Sequence, residues 1–194
     1  MDQPLETLTQ ALLDAAARAG AEAADAIAVD GTSLSIEVRG GALETAERSE
    51  GVDVGLRVML GQRQACVSTS DLSPATFAEM AERAVAMARE APDDPGVAQA
   101  SPEQFARDID AAGLELADPS AEPEPAALEQ SAREAEAAAL AVEGISRVDT
   151  VGAGYGRRRM QIATSAGFAG GYARSESSLY AVAITGEGTG MERD

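Results

Sequence analysis

The first 20 residues carry apolar side chains at the spacing of a helix. Leucines recur three and four positions apart, Asp2 and Pro4 give start signals, and Gly20 gives a stop. A second apolar stripe follows Ser73-Pro74, where a capping serine precedes a proline, and it ends before Pro92. Both segments are predicted to be amphipathic helices. Their apolar positions are Leu5, Leu8, Leu12 and Leu13 in the first and Phe77, Met80, Ala81, Ala84, Val85 and Ala88 in the second.

Between these two helices the apolar period changes to two, which is typical of strands with one buried face. Alternation runs from Ile27 to Val38 and from Val52 to Val58, and shorter strands are predicted over 43–48 and 65–69. Gly40-Gly41 is a hairpin signal, because both central positions of a type I′ turn need positive φ. With a further turn at Gly61-Gln62, the segment is predicted to be an antiparallel meander.

The remainder of the chain begins with a stretch rich in Pro, Asp and Glu over 92–125, which indicates a linker with one short capped turn at Ser101. A helix is then predicted from Pro125 to Val142, with Gly144 as its stop. Strands and turns follow. The predicted strands are Ile145–Gly154, Arg158–Thr164 and Tyr172–Thr185, and the predicted turns are Ala166-Gly167 and Gly170-Gly171.

These elements predict an α+β fold, in which helices pack on antiparallel or mixed β-sheets. Two consecutive units are expected, the second incomplete. We infer an amino-terminal α+β domain over 1–95, an acidic proline-rich linker over 96–124, and the truncated start of a middle α+β domain over 125–194. In the first domain, two helices on one face of the sheet are expected to bury the alternating Leu, Ile and Val side chains.

Composition excludes several kinds of site. The chain has 194 residues, of which 33 are acidic and 15 basic, giving a net charge of −18, and it contains no histidine. All the basic residues are arginine. Without histidine there is no Ser-His-Asp or Cys-His nucleophilic site and no His-ligated zinc in this chain. Without lysine there is no P-loop lysine and no Schiff base.

The acidic balance also limits the expected partners. Binding to nucleic acid or to an anionic membrane draws on clusters of Lys and Arg, so neither is predicted as a direct partner. A single cysteine, Cys66, cannot form an intrachain disulfide, and no basic stretch followed by an apolar one begins the chain. A cytoplasmic location is therefore expected.

Carboxylates are plentiful but lie in segments that are predicted to be exposed. Glu44, Glu47 and Glu50 form one group, and Asp93 and Asp94 form another. A catalytic pair needs burial and shifted pKa values, so we interpret these groups as solvating charges. Cys66 stands between Ala65 and Val67 in a strand pattern, which favours a small buried core residue over a nucleophile.

Three further patterns are candidate sites. Gly152-x-Gly154-x-Gly156 lacks the spacing of a phosphate loop and is interpreted as a bulged strand. Arg157-Arg158-Arg159 is interpreted as contacting a peptide carboxylate or, preferably, as solvent-facing charge that discourages edge aggregation. Thr164 and Ser165 lead into a turn, where hydroxyl groups commonly bond to nearby backbone. No catalytic, cofactor-binding or metal-binding residue is therefore assigned.

Several short segments follow one another in a fixed order along the chain. They are Gly20-Ala21, Asp25-Ala26, LSIEVRGG at 34–41, GLRV at 55–58, GQRQACVSTSD at 61–71, REAPDDP at 89–95, LELADP at 114–119, TSAGFAGGYARSESSLYA at 164–181 and GTGMERD at 188–194. Taken together, these segments resemble the amino-terminal domain of the TldD/PmbA family. The resemblance covers nearly the whole chain, and the linker and helix details favour the PmbA branch, also called TldE.

The resemblance implies a bacterial cytoplasmic subunit of a zinc metalloprotease complex. In that family the zinc belongs to the TldD partner, whose His-Glu-x-x-x-His helix supplies ligands, so no cofactor is expected in this chain. The leading hypothesis is a noncatalytic subunit that binds unfolded peptide substrates and guides them to a TldD-like partner, in peptide maturation or antitoxin turnover. A homo-oligomer is the alternative assembly when that partner is absent.

The second hypothesis is a non-proteolytic, acidic interaction module. It would modulate DNA gyrase, which the family's older name mentions, or another protein partner. A third hypothesis, that a truncated chain of this kind has no activity of its own, also stays open at the level of sequence. The chain itself is not assigned as an enzyme.

Overall fold

A computed structural model of the chain describes residues 4–186 and 188–193. The helices are α1 (Leu5–Ala19), α2 (Pro74–Glu90) and α3 (Pro125–Leu140), and the strands are β1 (Ala23–Arg39), β2 (Ala42–Leu60), β3 (Arg63–Thr69), β4 (Ile145–Thr164), β5 (Ala169–Thr185) and β6 (Glu192–Arg193). Within the described residues, these strands form a six-stranded sheet in the order β3-β2-β1-β4-β5-β6. The architecture is α+β, as predicted.

The helix boundaries follow the local signals of the sequence. Gly20 ends α1 in the left-handed conformation, with φ of 93°, and its N–H donates to the carbonyls of Ala16 and Ala17. Ser73 caps α2, because its side chain accepts a hydrogen bond from the Thr76 N–H. A short 3-10 helix at Pro102–Gln104 carries the capping box predicted at Ser101. The three predicted helices and these caps are confirmed.

The strands are longer than predicted. Segments that the alternation divided into separate strands are continuous in β2 and β4. Gly40 and Gly41 have φ of 59° and 74°, which confirms the hairpin turn between β1 and β2. The turn predicted at Gly170-Gly171 is wrong, because both glycines lie inside β5.

The chain divides into two compact units, each assembled from separate segments. Unit 1 comprises residues 1–31, 51–116 and 158–173, and unit 2 comprises 32–50, 117–157 and 174–194. Strands β1, β2, β4 and β5 each contribute residues to both units. The boundaries at 95 and 125 that the sequence indicated stay a prediction about domain organisation.

The core of unit 1 is built largely from alanine. Helix α1 packs against α2, and α2 packs against β3. Under these helices β1 presents Ala24, Ala26 and Ala28, which are at most 3% exposed. The expected burial of the alternating Leu, Ile and Val set is confirmed for Val54, Leu56 and Val58 of β2, which are at most 2% exposed, but it is wrong for Ile27, which is only half-buried. Because alanine side chains are small, the helices can lie close to the sheet. The face of β1 that they bury here is therefore the one with the three alanines, although hydrophobicity alone would select the face with Ile27.

Unit 2 has a second, smaller core beneath α3. Ala132 is fully buried, and Leu128, Ala135 and Ala139 on the same helix pack around it. The sheet contributes the buried apolar side chains opposite these positions. They are Ile36 and Val38 of β1 and Val148, Val151 and Ala153 of β4.

Part of the segment predicted as a linker belongs to unit 1. The Gln99 amide donates to the Ala24 carbonyl at 2.8 Å and to the Asp25 carboxylate at 2.6 Å. The rings of Phe105 and Phe168 lie 5.3 Å apart, centre to centre. Residues 97–105 are thus held by specific contacts. None of the helices in the described part of the chain is long and apolar enough for a bilayer span.

Candidate functional site

The first half of β2 forms an exposed strand that we call the acidic edge, residues 42–50. Eight of these nine residues are exposed, and only Thr45 is partly covered. Strand β3 pairs with β2 from Val54 to Leu60, beyond the acidic edge. Since β1 lies on the other side of β2, the acidic edge presents backbone groups that no other described strand pairs.

The carboxylates of the acidic edge are at the surface, as the sequence predicted. Glu44 accepts a hydrogen bond from Arg39 Nε at 3.0 Å. Arg48 lies between two carboxylates and donates to Glu50 and to Glu122. Among the described residues, Glu47 has no ion-pair partner. These groups solvate and charge the strand, and none has the burial that a catalytic acid or base requires.

Helix α3 holds the hairpin at the end of this strand. Glu136 is only 4% exposed, and its two carboxylate oxygens accept the Gly40 N–H at 2.6 Å and the Gly41 N–H at 2.7 Å. Arg133, one turn earlier, donates to the Gly41 carbonyl. Two consecutive left-handed glycines turn both N–H groups toward one anion, which explains how a buried carboxylate is satisfied here. Sequence reasoning missed this residue, although Glu136 follows buried Ala132 at i+4.

The glycines 152, 154 and 156 lie in β4 and not in a phosphate-binding loop. They share one face of the strand. The Tyr180 ring of β5 covers Gly152, and its hydroxyl donates to Glu37 of β1 at 3.1 Å. A side chain at Gly152 would overlap that ring. The glycine therefore makes room for a cross-strand tyrosine contact, a structural role that the spacing alone does not reveal.

The Tyr180 contact predicts a pH-dependent signal. Burial, and then the hydrogen bond to Glu37, raise the pKa of Tyr180 above the ordinary tyrosine value of 10.0. We expect Gly152→Ala to displace the ring and return this pKa toward 10.0. Because the folded-state pKa is raised, the stability that the phenol contributes is present below pH 10.0 and falls above it.

Titration followed by NMR measures the pKa of Tyr180 in the unmodified protein and in Gly152→Ala. Gly156→Ala is the matched control, since a Cβ there meets only the Thr32 carbonyl, at an ordinary 3.8 Å. An unchanged titration of Tyr180 in Gly152→Ala would contradict the assigned contact.

A shallow cavity of about 350 Å³ lies at the start of α1, lined by residues of α1, β4 and β5. Gln161 is among them and is only 8% exposed. Glu6 places a carboxylate beside the same opening. A second cavity of about 300 Å³ lies on the face of the unit 1 sheet opposite α1 and α2, between Ile27, Gly55, Cys66 and Ile162.

Cys66 lies at the mouth of this second cavity and is exposed, so its interpretation as a core residue is wrong. The physical reason is the pleat. Ala65 points toward the helices and is 8% exposed, so its neighbour must point to the opposite face. Cys66 is paired in register with Arg57, whose guanidinium bonds to Asp25.

We expect the exposed Cys66 thiol to react fully with a disulfide reagent such as DTNB in the folded protein. One equivalent of released thiolate is expected without denaturant, since Cys66 is the only cysteine. A Cys66→Ser variant gives the blank. If reaction required unfolding, the assigned orientation of β3 would be incorrect.

The hydroxyl residues before the β4–β5 turn bind backbone, as predicted. Thr164 Oγ1 accepts the Phe168 N–H at 3.2 Å, and Ser165 Oγ accepts the Ala24 N–H at 3.0 Å. Ser165 Oγ also donates to Gln99 Oε1 at 3.2 Å. These bonds fix the turn against β1 and give neither hydroxyl an activating base.

The other predicted candidates also lie at the surface. Arg157, Arg158 and Arg159 are exposed on β4, and Arg159 binds both oxygens of Asp30 with its Nε at 3.0 Å. Asp93 accepts from Arg63 Nε at 2.8 Å, and Asp94 accepts the Gly96 N–H at 2.8 Å. The charged groups of Arg159, Asp93 and Asp94 thus form ion pairs or hydrogen bonds with nearby residues.

The residues of this chain do not fit a zinc site. The described residues contain no group of three or more His, Cys, Asp or Glu side chains that could hold a metal ion. The sequence has no histidine, so an imidazole ligand is absent from the whole chain. The described residues offer an open strand edge, exposed carboxylates and shallow cavities.

Two parts of the chain match, in order, the sequence models of one family. Residues 24–88 match PmbA/TldA metallopeptidase domain 1, and residues 118–194 match the PmbA/TldA metallopeptidase central domain. The chain belongs to the PmbA/TldD family. The metalloprotease PmbA of Escherichia coli O157:H7 is 30% identical over 165 residues, which are 84% of this chain and 36% of that protein.

Solved structures share the PmbA/TldD fold with this chain. A Bacteroides thetaiotaomicron VPI-5482 protein, named as a candidate modulator of DNA gyrase, superposes with a TM-score of 0.80 at 22% identity. TldE from Thermococcus kodakarensis gives a TM-score of 0.73 at 14% identity. The alignments cover 97% and 95% of this chain but 42% and 40% of those proteins. The chain thus spans less than half the length of its relatives.

Proposed function

We propose that this chain is part of a PmbA/TldE-like subunit that binds unfolded peptides and presents them to a zinc-bearing, TldD-like partner in the cytoplasm. The chain itself is noncatalytic in this proposal. The observation that carries it is the combination of two metallopeptidase-family matches with exposed strand edges. The 194 residues given contain no histidine, so in this proposal they contribute binding surface and the zinc ligands come from the partner.

Strand addition is the binding mode that this structure supports. An extended peptide that adds to an open edge obtains its affinity from main-chain hydrogen bonds, so the edge needs no special side chains. An unfolded segment can form these bonds, whereas a folded protein already uses its own backbone groups. This mode accounts for a preference for unfolded substrates without a deep pocket.

The experiment is reconstitution. The full-length protein is purified together with the TldD-like protein of the same organism, and peptide cleavage is measured with and without a chelator. We expect cleavage only with both proteins and metal, with the TldD-like protein alone as the control. Cleavage by the present subunit alone, or stoichiometric zinc bound to it, would refute the proposal.

A second candidate function is favoured by the net charge of −18. An acidic surface suits a regulator that binds a basic protein surface, such as one on DNA gyrase, without proteolysis. A salt-sensitive complex with gyrase that forms in the absence of any TldD-like protein is the expected result. If no such complex forms at low ionic strength, this second function is excluded.

A further inference from the structure

We propose that the acidic edge binds extended segments that carry Lys or Arg at alternate positions, so that cationic peptides are the preferred class. This inference rests on the proposed function, since it assigns a place and a chemical preference to the peptide binding. Its physical basis is the coincidence of an unpaired hydrogen-bonding edge with an excess of carboxylates.

The backbone of the acidic edge is available. Residues 42–50 are extended, and β3 pairs only with residues beyond them. Among the described residues, no turn or loop donates a backbone hydrogen bond to this stretch. A strand of nine residues offers outward N–H and C=O groups at every second position, which is enough for several main-chain hydrogen bonds to a guest.

The charge of the acidic edge selects the guest. Glu44 accepts a hydrogen bond from Arg39, and Glu50 and Glu122 accept from Arg48. Glu47 adds a fourth carboxylate on the opposite face of the strand, so the local balance is four negative against two positive charges. Glu47 is exposed and lacks an ion pair to any described residue. A neutral or acidic strand gains nothing from this excess, whereas a cationic strand places its charges beside carboxylates.

An apolar anchor accompanies the charges. Leu43 is 46% exposed at the start of the acidic edge, a large side chain that a guest strand could cover. A guest that alternates basic and aliphatic residues would use both features, because alternate side chains of a strand lie on the same face. Solvent-facing charge on an edge strand also disfavours aggregation. For the same reason, the charges of the acidic edge disfavour pairing with an uncharged strand, which would cover them without neutralising them.

The test uses the complete protein and four synthetic ten-residue peptides. The first alternates lysine and valine, the second replaces lysine by glutamine, the third replaces it by glutamate, and the fourth repeats the first with N-methylated backbone at alternate positions. Binding is measured by fluorescence anisotropy, and the site is located by amide hydrogen exchange. We expect the first peptide to bind most tightly and to slow exchange within residues 42–50, the second and third to bind more weakly, and the fourth not to bind.

Two charge variants complete the design. Glu44→Gln, Glu47→Gln and Glu50→Gln together are expected to raise the Kd of the cationic peptide by about tenfold. The matched control changes Glu79, Glu82 and Glu90 of α2 to glutamine, which removes the same charge from exposed positions outside the acidic edge. That control should leave Kd within about twofold, after the shared change in net charge is taken into account.

Several results would overturn the proposal. Equal binding of the N-methylated peptide, equal loss of affinity in the two charge variants, or slowed exchange elsewhere would each do so. Slowed exchange over 42–50 caused by a second copy, or by the TldD-like subunit without peptide, would assign the edge to assembly. If partner-dependent cleavage persists while the acidic edge proves irrelevant, the proposed function stands and only this inference fails.

Discussion

Replacing Glu136 with alanine is expected to lower the free energy of unfolding by about 2–3 kcal/mol. The substitution removes a buried carboxylate that accepts the Gly40 and Gly41 N–H groups at 2.6 and 2.7 Å. Hydrogen bonds to a charged acceptor contribute about 1.5–3 kcal/mol each, but exposed glycine N–H groups recover part of this from water. Urea unfolding followed by circular dichroism gives the value.

Glu136→Gln is expected to lose about half as much, because an amide has one oxygen acceptor where the carboxylate has two. Glu134→Ala is the matched control on the same helix. Its carboxylate is exposed and accepts only from Gln130, at 2.7 Å, so its loss should cost no more than about 0.5 kcal/mol. Equal effects of Glu136→Ala and Glu134→Ala would show that the carboxylate does not hold the hairpin.

Replacing Gly171 with alanine is expected to cost about 2–3 kcal/mol through a different mechanism. A Cβ at this position would overlap the Met160 carbonyl oxygen and the Gln161 side chain, and would lie 3.2 Å from the Gln161 Cα. A backbone atom cannot rotate away as a side chain can, so β4 and β5 must separate locally. The free energy of unfolding and amide exchange in both strands report the effect.

Gly156→Ala again serves as the control, because it makes the same chemical change in the sheet with only an ordinary contact at 3.8 Å. It should be neutral within about 0.5 kcal/mol. Should Gly171→Ala be equally neutral, the close approach of β5 to β4 at this point would be incorrect.

The elements of the fold were predictable because their signals are local. Gly40-Gly41 supplies the positive φ of the hairpin, and Ser73-Pro74 supplies both the cap and the first turn of α2. Each depends on one or two residues. The continuity of β2 and β4 was not predictable, since strand length depends on neighbours that are distant in sequence.

The errors at Ile27 and at Gly170-Gly171 share a physical origin, which is the close packing that small residues allow. Hydrophobicity ranks Ile27 above Ala26, yet Ala26 is 1% exposed because the helices require close approach. Gly170 and Gly171 carry a strong turn signal, but both lie in β5. Position 171 needs a glycine because a side chain there would overlap β4. Both outcomes depend on how closely a helix or a neighbouring strand approaches. The local pattern of apolar and polar residues does not contain these distances.

The binding features were predictable only in part. The sequence predicted exposed carboxylates at Glu44, Glu47 and Glu50 and open strand edges in general terms. It did not show that the acidic edge lies beyond the reach of β3, because that depends on the register from Val54 to Leu60. Nor did it distinguish Glu136, which is buried, from Glu134 of the same helix, which is exposed.

The division of the strands has a consequence for how the chain can be cut. Unit 1 draws on three stretches of sequence and unit 2 on three others, which alternate along the chain. No single cleavage can release either unit as one fragment. A protease that nicks residues 92–124 should leave two pieces, each with only part of both cores, so any activity that survives the nick requires the pieces to remain associated.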